Sequence, residues 1–98
     1  MSDLPYMTAV DNRVAEVNKS FLELTGYTER NILGRNVEEI WQHLLRISMD
    51  LDRVKCLKEC DCYMFDSLRR AKEVTISYTE NFELKQCIYT FKQKVNSI

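Results

Sequence analysis

Four cysteines are the residues of this 98-residue chain whose chemistry stands out, and three of them lie close together in sequence. Cysteine thiolates bind zinc or iron–sulfur clusters and react with oxidants. Cys56 and Cys60 share one helical face if a helix continues through both, and Cys87 would approach across a sheet. The spacing lacks the close CxxC pairs of structural metal sites, and buried cysteines pack as small hydrophobes. We predict packed thiols, and the alternative is a metal or redox switch built from Cys56, Cys60, Cys62 and Cys87.

Motifs for catalysis are sparse. The single histidine, His43, would be the base if it paired with a cysteine nucleophile. The sequence holds no Ser/His/Asp set, phosphate-binding loop or paired-carboxylate motif. His43 stands between Trp41 and Leu44, where a helix would leave it partly exposed. We therefore predict that the protein is not an enzyme.

Bulky apolar side chains provide a third kind of site, a ligand cavity between the helices and the sheet. Such cavities are lined mainly by apolar and aromatic residues, and the same residues fill a solid core equally well. The candidates for this pocket are Phe21, Leu24, Ile40, Trp41, Leu44, Tyr89 and Phe91. These residues identify no ligand, and the absence of a cofactor is the simplest prediction.

The overall composition limits the partners and the location. The formal net charge is -1 and the pI is near 5.8, so the chain has no long-range attraction for nucleic acid or an anionic membrane. No segment has the roughly 20 apolar residues of a membrane span, and the N-terminal residues lack the apolar run of a signal peptide. We expect a single domain over residues 1–98, located in the cytoplasm with its thiols reduced.

Strands are predicted at both ends of the chain. Tyr6–Val10 and Val14–Val17 are joined by Asp11 and Asn12, which favour a hairpin turn because both tolerate left-handed backbone conformations. Alternation of apolar and polar residues predicts three closing strands, at Cys62–Phe65, Val74–Thr79 and Cys87–Lys92. This order predicts an α+β domain with an antiparallel sheet.

Short helices fill the middle of the chain, each introduced by a residue whose side chain can accept a free backbone N–H. Glycines follow where a helix end needs a positive φ. The predicted starts are Asn18, Thr28, Asn36 and Asp50, and the predicted ends are Leu24, Gly26, Gly34 and Leu57. The third helix carries Val37, Ile40, Trp41, Leu44 and Leu45 on one face, and the helices together must cover one face of the sheet.

The N-terminal third of the chain resembles a known family. Three segments carry the resemblance: Val10-Asp11-Asn12-Arg13-Val14, then Asn18, Phe21 and Leu24-Thr25-Gly26-Tyr27-Thr28, then Ile32-Leu33-Gly34-Arg35. Together they resemble the N-terminal half of a PAS domain, and each glycine and cap also falls at a structural boundary. The three closing strands agree with the family's layout. The structural residues of this motif are Asn18, Gly26, Tyr27, Gly34 and Asn36.

The resemblance implies a PAS-like five-stranded antiparallel sheet with the short helices on one face. It also implies a sensory or regulatory module, used in signal transduction or transcription regulation, that senses a small ligand or mediates dimerisation. Such a module relays its state to an output domain, such as a histidine kinase, a nucleotide cyclase or a transcription activator, and we find none in this sequence. A ligand-free protein-interaction module is the second alternative.

The sequence departs from the family pattern at three places. Asn31 stands where many PAS domains have a Glu before the Leu-Gly pair. Ser67-Leu68-Arg69-Arg70-Ala71 replaces the usual Asp-Gly turn between the third and fourth strands. The usual Asp-Ile-Thr ending is missing after Lys94, which leaves the exit of the chain after Val95 unassigned.

Two cofactor-binding subclasses of the family give specific expectations. In the flavin photosensors a reactive cysteine follows Gly-Arg-Asn, but here Gly34-Arg35-Asn36 is followed by Val37. A flavin–cysteine adduct is therefore excluded at this position. Haem-binding members use a histidine ligand from the helical side, and we predict that His43 is a surface residue instead.

Self-association through the uncovered face of the sheet is the last prediction. Cys87, Tyr89 and Phe91 alternate with Ile88 and Thr90, so the closing strand is apolar on both faces. The few residues before the first strand are too short for a covering helix, and exposed apolar faces often mark interfaces. We expect a homodimer through this outer face and an attached effector domain, with no direct nucleic-acid or membrane partner.

Overall fold

A five-stranded antiparallel sheet forms one layer of the protein, and short helices form the other. The structure is a computed structural model that describes residues 4–94. The strands are β1 (Tyr6–Val10), β2 (Arg13–Val17), β3 (Glu59–Phe65), β4 (Ala71–Asn81) and β5 (Gln86–Gln93), and the helices are α1 (Lys19–Thr25), α2 (Glu29–Ile32), α3 (Val37–Glu39) and α4 (Leu51–Leu57). The strand order is β2-β1-β5-β4-β3. The predicted α+β fold with five antiparallel strands is confirmed.

The hairpin between β1 and β2 forms where the sequence predicts it. Asp11 and Asn12 both have positive φ, 51° and 64°, the backbone conformation of a tight hairpin turn. On its other side β1 pairs with β5, in a register that runs from Tyr6 opposite Thr90 to Val10 opposite Gln86. The first hairpin is therefore attached to the last strand.

The inner face of the sheet is apolar and faces the helices. Val74, Ile76 and Tyr78 on β4 and Tyr89 and Phe91 on β5 are all buried. Their neighbours along the strands, which point to the opposite face, are half-buried or exposed. The predicted period-two alternation of both strands is confirmed.

The third helix differs from its prediction. It starts at the predicted cap, where Asn36 Oδ1 accepts the Glu38 N–H at 2.8 Å, but regular α-helix ends at Glu39. Residues Ile40–Leu44 form a wider π-helical turn, closed by a hydrogen bond of 2.9 Å from the Leu45 N–H to the Ile40 carbonyl. The extra residue in this turn changes the direction of the side chains, so Leu44 is only half-buried.

The strand that follows α4 begins earlier than predicted. Helix α4 ends at Leu57 and is capped by Lys58, which adopts a left-handed conformation with φ 69°, and β3 starts at the next residue. Cys60 therefore lies on a strand, so the prediction that Cys56 and Cys60 share a helical face is wrong. Strands β4 and β5 extend beyond their predicted bounds at both ends.

Candidate functional site

The residues predicted to line a ligand pocket all belong to one hydrophobic cluster between the helices and the sheet. Phe21, Ile40 and Phe91 are fully buried, and the rings of Phe21 and Phe91 meet edge to face with centroids 5.4 Å apart. Leu24, Trp41 and Tyr89 are also buried, while Leu44 lies at the edge of the cluster. These side chains pack directly against one another and form the centre of the core.

A row of three aromatic rings crosses this core from the helices to the sheet. The Trp41 ring lies 5.7 Å from the Tyr89 ring on β5, which lies 5.2 Å from the Tyr78 ring on β4. The Tyr78 hydroxyl donates to Glu80 Oε1 at 2.6 Å and lies 3.2 Å from Cys87 Sγ. Burial, with Cys87 and Glu80 beside it, raises the pKa of Tyr78 well above its usual range. The phenol therefore stays protonated and neutral.

A cleft of about 720 Å³ opens at the helical end of this row, between the π-helical turn and α4. Its apolar wall consists of Trp41, Ile47, Met49, Leu51 and Leu57. Three carboxylates, those of Glu38, Asp50 and Asp52, also line the cleft, together with one guanidinium, that of Arg53. The cleft thus combines an apolar base with an acidic rim.

Trp41 is held at the base of this cleft by its own hydrogen bonds. The indole N–H donates to the Met49 carbonyl at 2.6 Å, and the Trp41 carbonyl accepts the Ile47 N–H at 2.9 Å. The segment after the π-helical turn is therefore wrapped around the indole. Such turns within helices are frequent at functional sites, and here the turn places one ring in contact with both the cleft and the sheet.

Most of the chain matches the model of a known family. A family model described as PAS domain matches residues 3–87. The chain belongs to the PAS domain family. It is a sensory domain of the kind found in signalling proteins.

Solved structures share the PAS fold at low sequence identity. The PAS domain of an HTR-like protein from Haloarcula marismortui is 16% identical with a TM-score of 0.73, covering 95% of this chain and 88% of that chain. A Rhodobacter sphaeroides LOV protein is 17% identical with a TM-score of 0.76, covering 98% of this chain and 62% of that one. A blue-light activated histidine kinase from Erythrobacter litoralis is 17% identical with a TM-score of 0.65, covering 96% of this chain and 34% of that chain. The comparison with curated proteins found no match.

The PAS motif residue Asn18 ties the first strand to the first helix. Its Oδ1 accepts the Phe21 N–H at 2.9 Å, as an N-cap does, and also the Tyr6 N–H at 3.0 Å. Its Nδ2 donates to the Leu4 carbonyl at 2.8 Å. A single amide thus sets the position of α1 relative to β1.

The remaining motif residues shape the loops of the PAS domain. Gly26 and Gly34 have φ of 77° and 79°, and the Gly34 N–H donates to the Val14 carbonyl at 2.9 Å. The Tyr27 hydroxyl donates to the Leu44 carbonyl at 3.3 Å. In place of the family's Glu, Asn31 Oδ1 accepts from both the N–H and the hydroxyl of Thr28.

The loop between β3 and β4 contains a buried carboxylate that sequence reasoning missed. Asp66 accepts hydrogen bonds from the Leu68 and Arg70 N–H groups at 3.0 and 2.9 Å and from Arg70 Nε at 2.8 Å. Burial alone would raise the pKa of Asp66, but these bonds lower it to about 2. Lys72 lies 3.4 Å from the same carboxylate and donates to the Leu24 carbonyl at 2.7 Å. In the sequence, the position of this Asp at the start of the unusual turn was the feature that could have indicated the buried carboxylate.

The four cysteines lie in three different places. Cys60 and Cys62 are two residues apart on the inner face of β3, Cys56 is exposed on α4, and Cys87 lies beside Tyr78. Among residues 4–94, no three Cys, His, Asp or Glu side chains are grouped so that they could hold a metal ion. Burial, together with Cys60, raises the pKa of Cys62 to about 12. Since the thiolate is the reactive and metal-binding form, burial disfavours reaction and metal binding at Cys62.

Two positions bear on cofactors known from parts of the PAS family. Val37 is fully buried in the core and carries no thiol at the position of the photosensor cysteine. His43 is exposed and lines cavities at the surface, on a different side of the helix from the buried Trp41. The structure therefore places His43 away from the aromatic core.

The outer face of the sheet differs between its two halves. On the β3–β4 half, polar groups satisfy one another: Thr75 Oγ1 donates to Asp61 at 2.7 Å, and Lys94 lies 2.8 Å from the same carboxylate. On the β1–β5 half, Thr8 lies opposite Ile88, and its buried hydroxyl has no hydrogen-bond partner among the described residues. No helix among residues 4–94 combines the length and apolar composition needed to cross a bilayer.

Proposed function

We propose that this PAS domain is a non-enzymatic sensor that binds a small, mainly apolar ligand in the cleft beside Trp41. The cleft of about 720 Å³ carries the proposal, because its volume lies in the range of about 300–1,000 Å³ that small ligands occupy. The acidic rim of Glu38, Asp50 and Asp52 disfavours a ligand with a free anionic group. A neutral or cationic molecule fits this arrangement of charges.

Binding in the cleft would be transmitted through the aromatic row. A ligand that displaces the Trp41 ring must also move or repack Tyr89, since close-packed cores respond to small changes in shape. Tyr89 lies on β5 and Tyr78 on β4, at the centre of the sheet. The outer residues of these strands would then carry the change to an attached effector domain.

The test uses Trp41, which is the single tryptophan of the chain. Protein purified from its native host is analysed by native mass spectrometry for a bound small molecule, which is extracted and added back while Trp41 emission is recorded. We expect saturable binding with a change in emission. Host protein without a bound molecule, together with unchanged emission in the presence of the host's extracted small molecules, would contradict the proposal.

A matched pair of leucines provides the control for this test. Leu57 and Leu68 are both exposed, but only Leu57 lines the cleft. Leu57→Lys adds a positive charge that disfavours both a neutral apolar ligand and a cationic one, and it should weaken binding at least tenfold, or by about 1.4 kcal/mol. Leu68→Lys should leave binding unchanged, and equal effects of the two variants would place the ligand elsewhere.

The second proposed function is pairing of two copies through the outer face of β1 and β5. It is favoured by Val10, which is 38% exposed, and by Ile88, both beside the unpartnered Thr8 hydroxyl. Exposed apolar surface gains from being covered by a partner, because it is then removed from water. Light scattering at micromolar concentration should give a dimer that Ile88→Lys converts to a monomer. Leu84→Lys, in the exposed β4–β5 turn, is the control, and a monomeric wild type would contradict pairing.

A further inference from the structure

We propose that this PAS domain has a second ligand site, for a small organic oxyanion, in a cavity of about 380 Å³ beside the β3–β4 loop. The cavity lies between Tyr27, the end of the π-helical turn and the residues that follow β3. Its cationic side chains are Arg46 and Arg69, and His43 and Ser67 add polar groups. It is distinct from the acidic cleft beside Trp41, so it does not depend on that proposed function.

The charges around this cavity are strongly unbalanced. Neither Arg46 nor Arg69 takes part in any ion pair formed within residues 4–94. The one carboxylate in the wall, Asp66, is already bonded to Arg70 and lies near Lys72. Arg70 and Lys72 thus balance Asp66, and the two arginines of the lining, Arg46 and Arg69, have no acidic partner among the described residues. Guanidinium groups bind phosphate and carboxylate with two parallel hydrogen bonds, so an oxyanion is the group that this wall accommodates.

The backbone around Arg46 and Arg69 is held in place before any ligand arrives. The Phe65 N–H donates to the Leu45 carbonyl at 2.7 Å, and Tyr27 donates to the Leu44 carbonyl. The first bond connects the segment of Arg46 to the end of β3, just before the loop that carries Arg69. A backbone that is already fixed lowers the cost of ordering when a ligand binds.

Both arginines occupy backbone conformations that are unfavourable for them. Arg46 has φ of 44° and Arg69 has φ of 62°, where an ordinary L-residue is disfavoured and Gly or Asn is tolerated. Strain of this kind is concentrated at ligand sites and switch regions. Two strained arginines from separate segments therefore line one cavity. At either position Asn would adopt the positive φ with less backbone strain.

The size and lining of the cavity indicate the rest of the ligand. About 380 Å³ exceeds the needs of a bare inorganic anion and lies in the small-ligand range. Leu44, Phe65 and Tyr27 supply apolar and aromatic surface beside the arginines. The ligand class is a phosphate or carboxylate on a planar or apolar body, of about the size of a mononucleotide.

The test is a titration of the whole chain followed by ¹H–¹⁵N NMR, with adenosine monophosphate, adenosine and inorganic phosphate as probes. We expect adenosine monophosphate to shift the Ser67 and Arg69 amides saturably. Phosphate should shift the same amides with weaker affinity, and adenosine should bind at least tenfold more weakly than its monophosphate. The proposal is overturned by absent saturation with both phosphates, by equal affinity for adenosine, or by equal shifts in sodium chloride of matched ionic strength.

Variants separate binding from folding. Arg46→Asn and Arg69→Asn keep a residue that tolerates positive φ, so each should preserve or raise the melting temperature while weakening adenosine monophosphate binding at least tenfold. Lys85→Asn is the control, because Lys85 has a φ of 51° in the exposed β4–β5 turn and loses the same charge. If all three variants bind equally well, the arginines do not form the site.

Discussion

The hydroxyl of Ser67 donates a hydrogen bond of 3.1 Å to the backbone carbonyl of Gly26, across 41 residues of sequence. The Ser67 N–H donates in turn to the Thr25 carbonyl at 2.7 Å. The loop after β3 is therefore seated directly on the C-terminal end of α1. This contact leaves no room at residue 26, where an added Cβ would lie 2.3 Å from Ser67 Oγ.

Gly26→Ala should destabilise the domain more than Gly34→Ala does. Both glycines have nearly the same positive φ, but an added Cβ at Gly34 meets nothing within 4 Å. The shared backbone cost is about 1 kcal/mol, and displacement of Ser67 should add about 1 kcal/mol for its lost hydrogen bond. Urea denaturation of both variants measures the difference. Equal losses would show that Ser67 rotates away at no cost.

Acid should destabilise the domain through Asp66. Its folded pKa of about 2 lies below the ordinary value of 3.8, so its stabilising contribution is complete above pH 4 and is lost as pH falls through 2. The loss is about 2 kcal/mol. Asp66→Asn should remove this part of the pH dependence, whereas Glu23→Gln on the exposed face of α1 should not. If the stability of the wild type and of Asp66→Asn fell in parallel with pH, the loss of stability in acid would not come from Asp66.

The local features of the fold were predictable because short-range rules govern them. Asn18 as a cap and Asp11-Asn12 as a turn follow from the conformations that those side chains favour. The π-helical turn at Ile40–Leu44 carries no residue-type signal, and the end of α4 at Lys58 lacks the usual glycine. Both depend on how the segment packs in the finished fold.

The candidate sites were less predictable than the fold, because they depend on long-range contacts. Trp41 was identified from its apolar character, but the cleft beside it requires the segment 45–50 to fold back over the indole. Asp66 is buried only because Arg70, Lys72 and the end of α1 meet around it. The contacts that bury Asp66 come from distant segments and are not visible in a single sequence, where only its position at the start of the turn was available.

Thr8→Val should stabilise the isolated domain. The Thr8 hydroxyl is buried without a hydrogen-bond partner among the described residues, so replacing it with a methyl group of similar shape should gain about 1 kcal/mol. Thr25→Val is the matched control, because the Thr25 hydroxyl donates to the Phe21 carbonyl at 2.9 Å, and it should lose a similar amount. Thermal unfolding at a concentration where the protein is monomeric measures both changes, and a loss with Thr8→Val would indicate that the hydroxyl has a partner in solution.

Thiol reactivity should differ sharply along the chain. Cys56 is exposed, whereas Cys62 is buried and its pKa is raised to about 12. With a disulfide reagent at pH 7.5, Cys56 should react in the fast phase and Cys62 only after unfolding. Cys56→Ser should remove the fast reaction and Cys62→Ser should leave it intact. Rapid labelling of Cys62 in folded protein would contradict this expectation and support the redox-switch alternative.

The pairing of β1 with β5 has a consequence for the order of folding. Tyr6 lies opposite Thr90, so one edge of the first hairpin stays unpaired until β5, the last strand of this sheet, has been synthesised. Contacts of such long sequence separation slow folding, because the intervening loop must close before any of them forms. During synthesis the β1 edge stays open to other strands, and the core aromatics of β5 are missing until that moment. Closure of the sheet is therefore expected to be the last step in the folding of this domain.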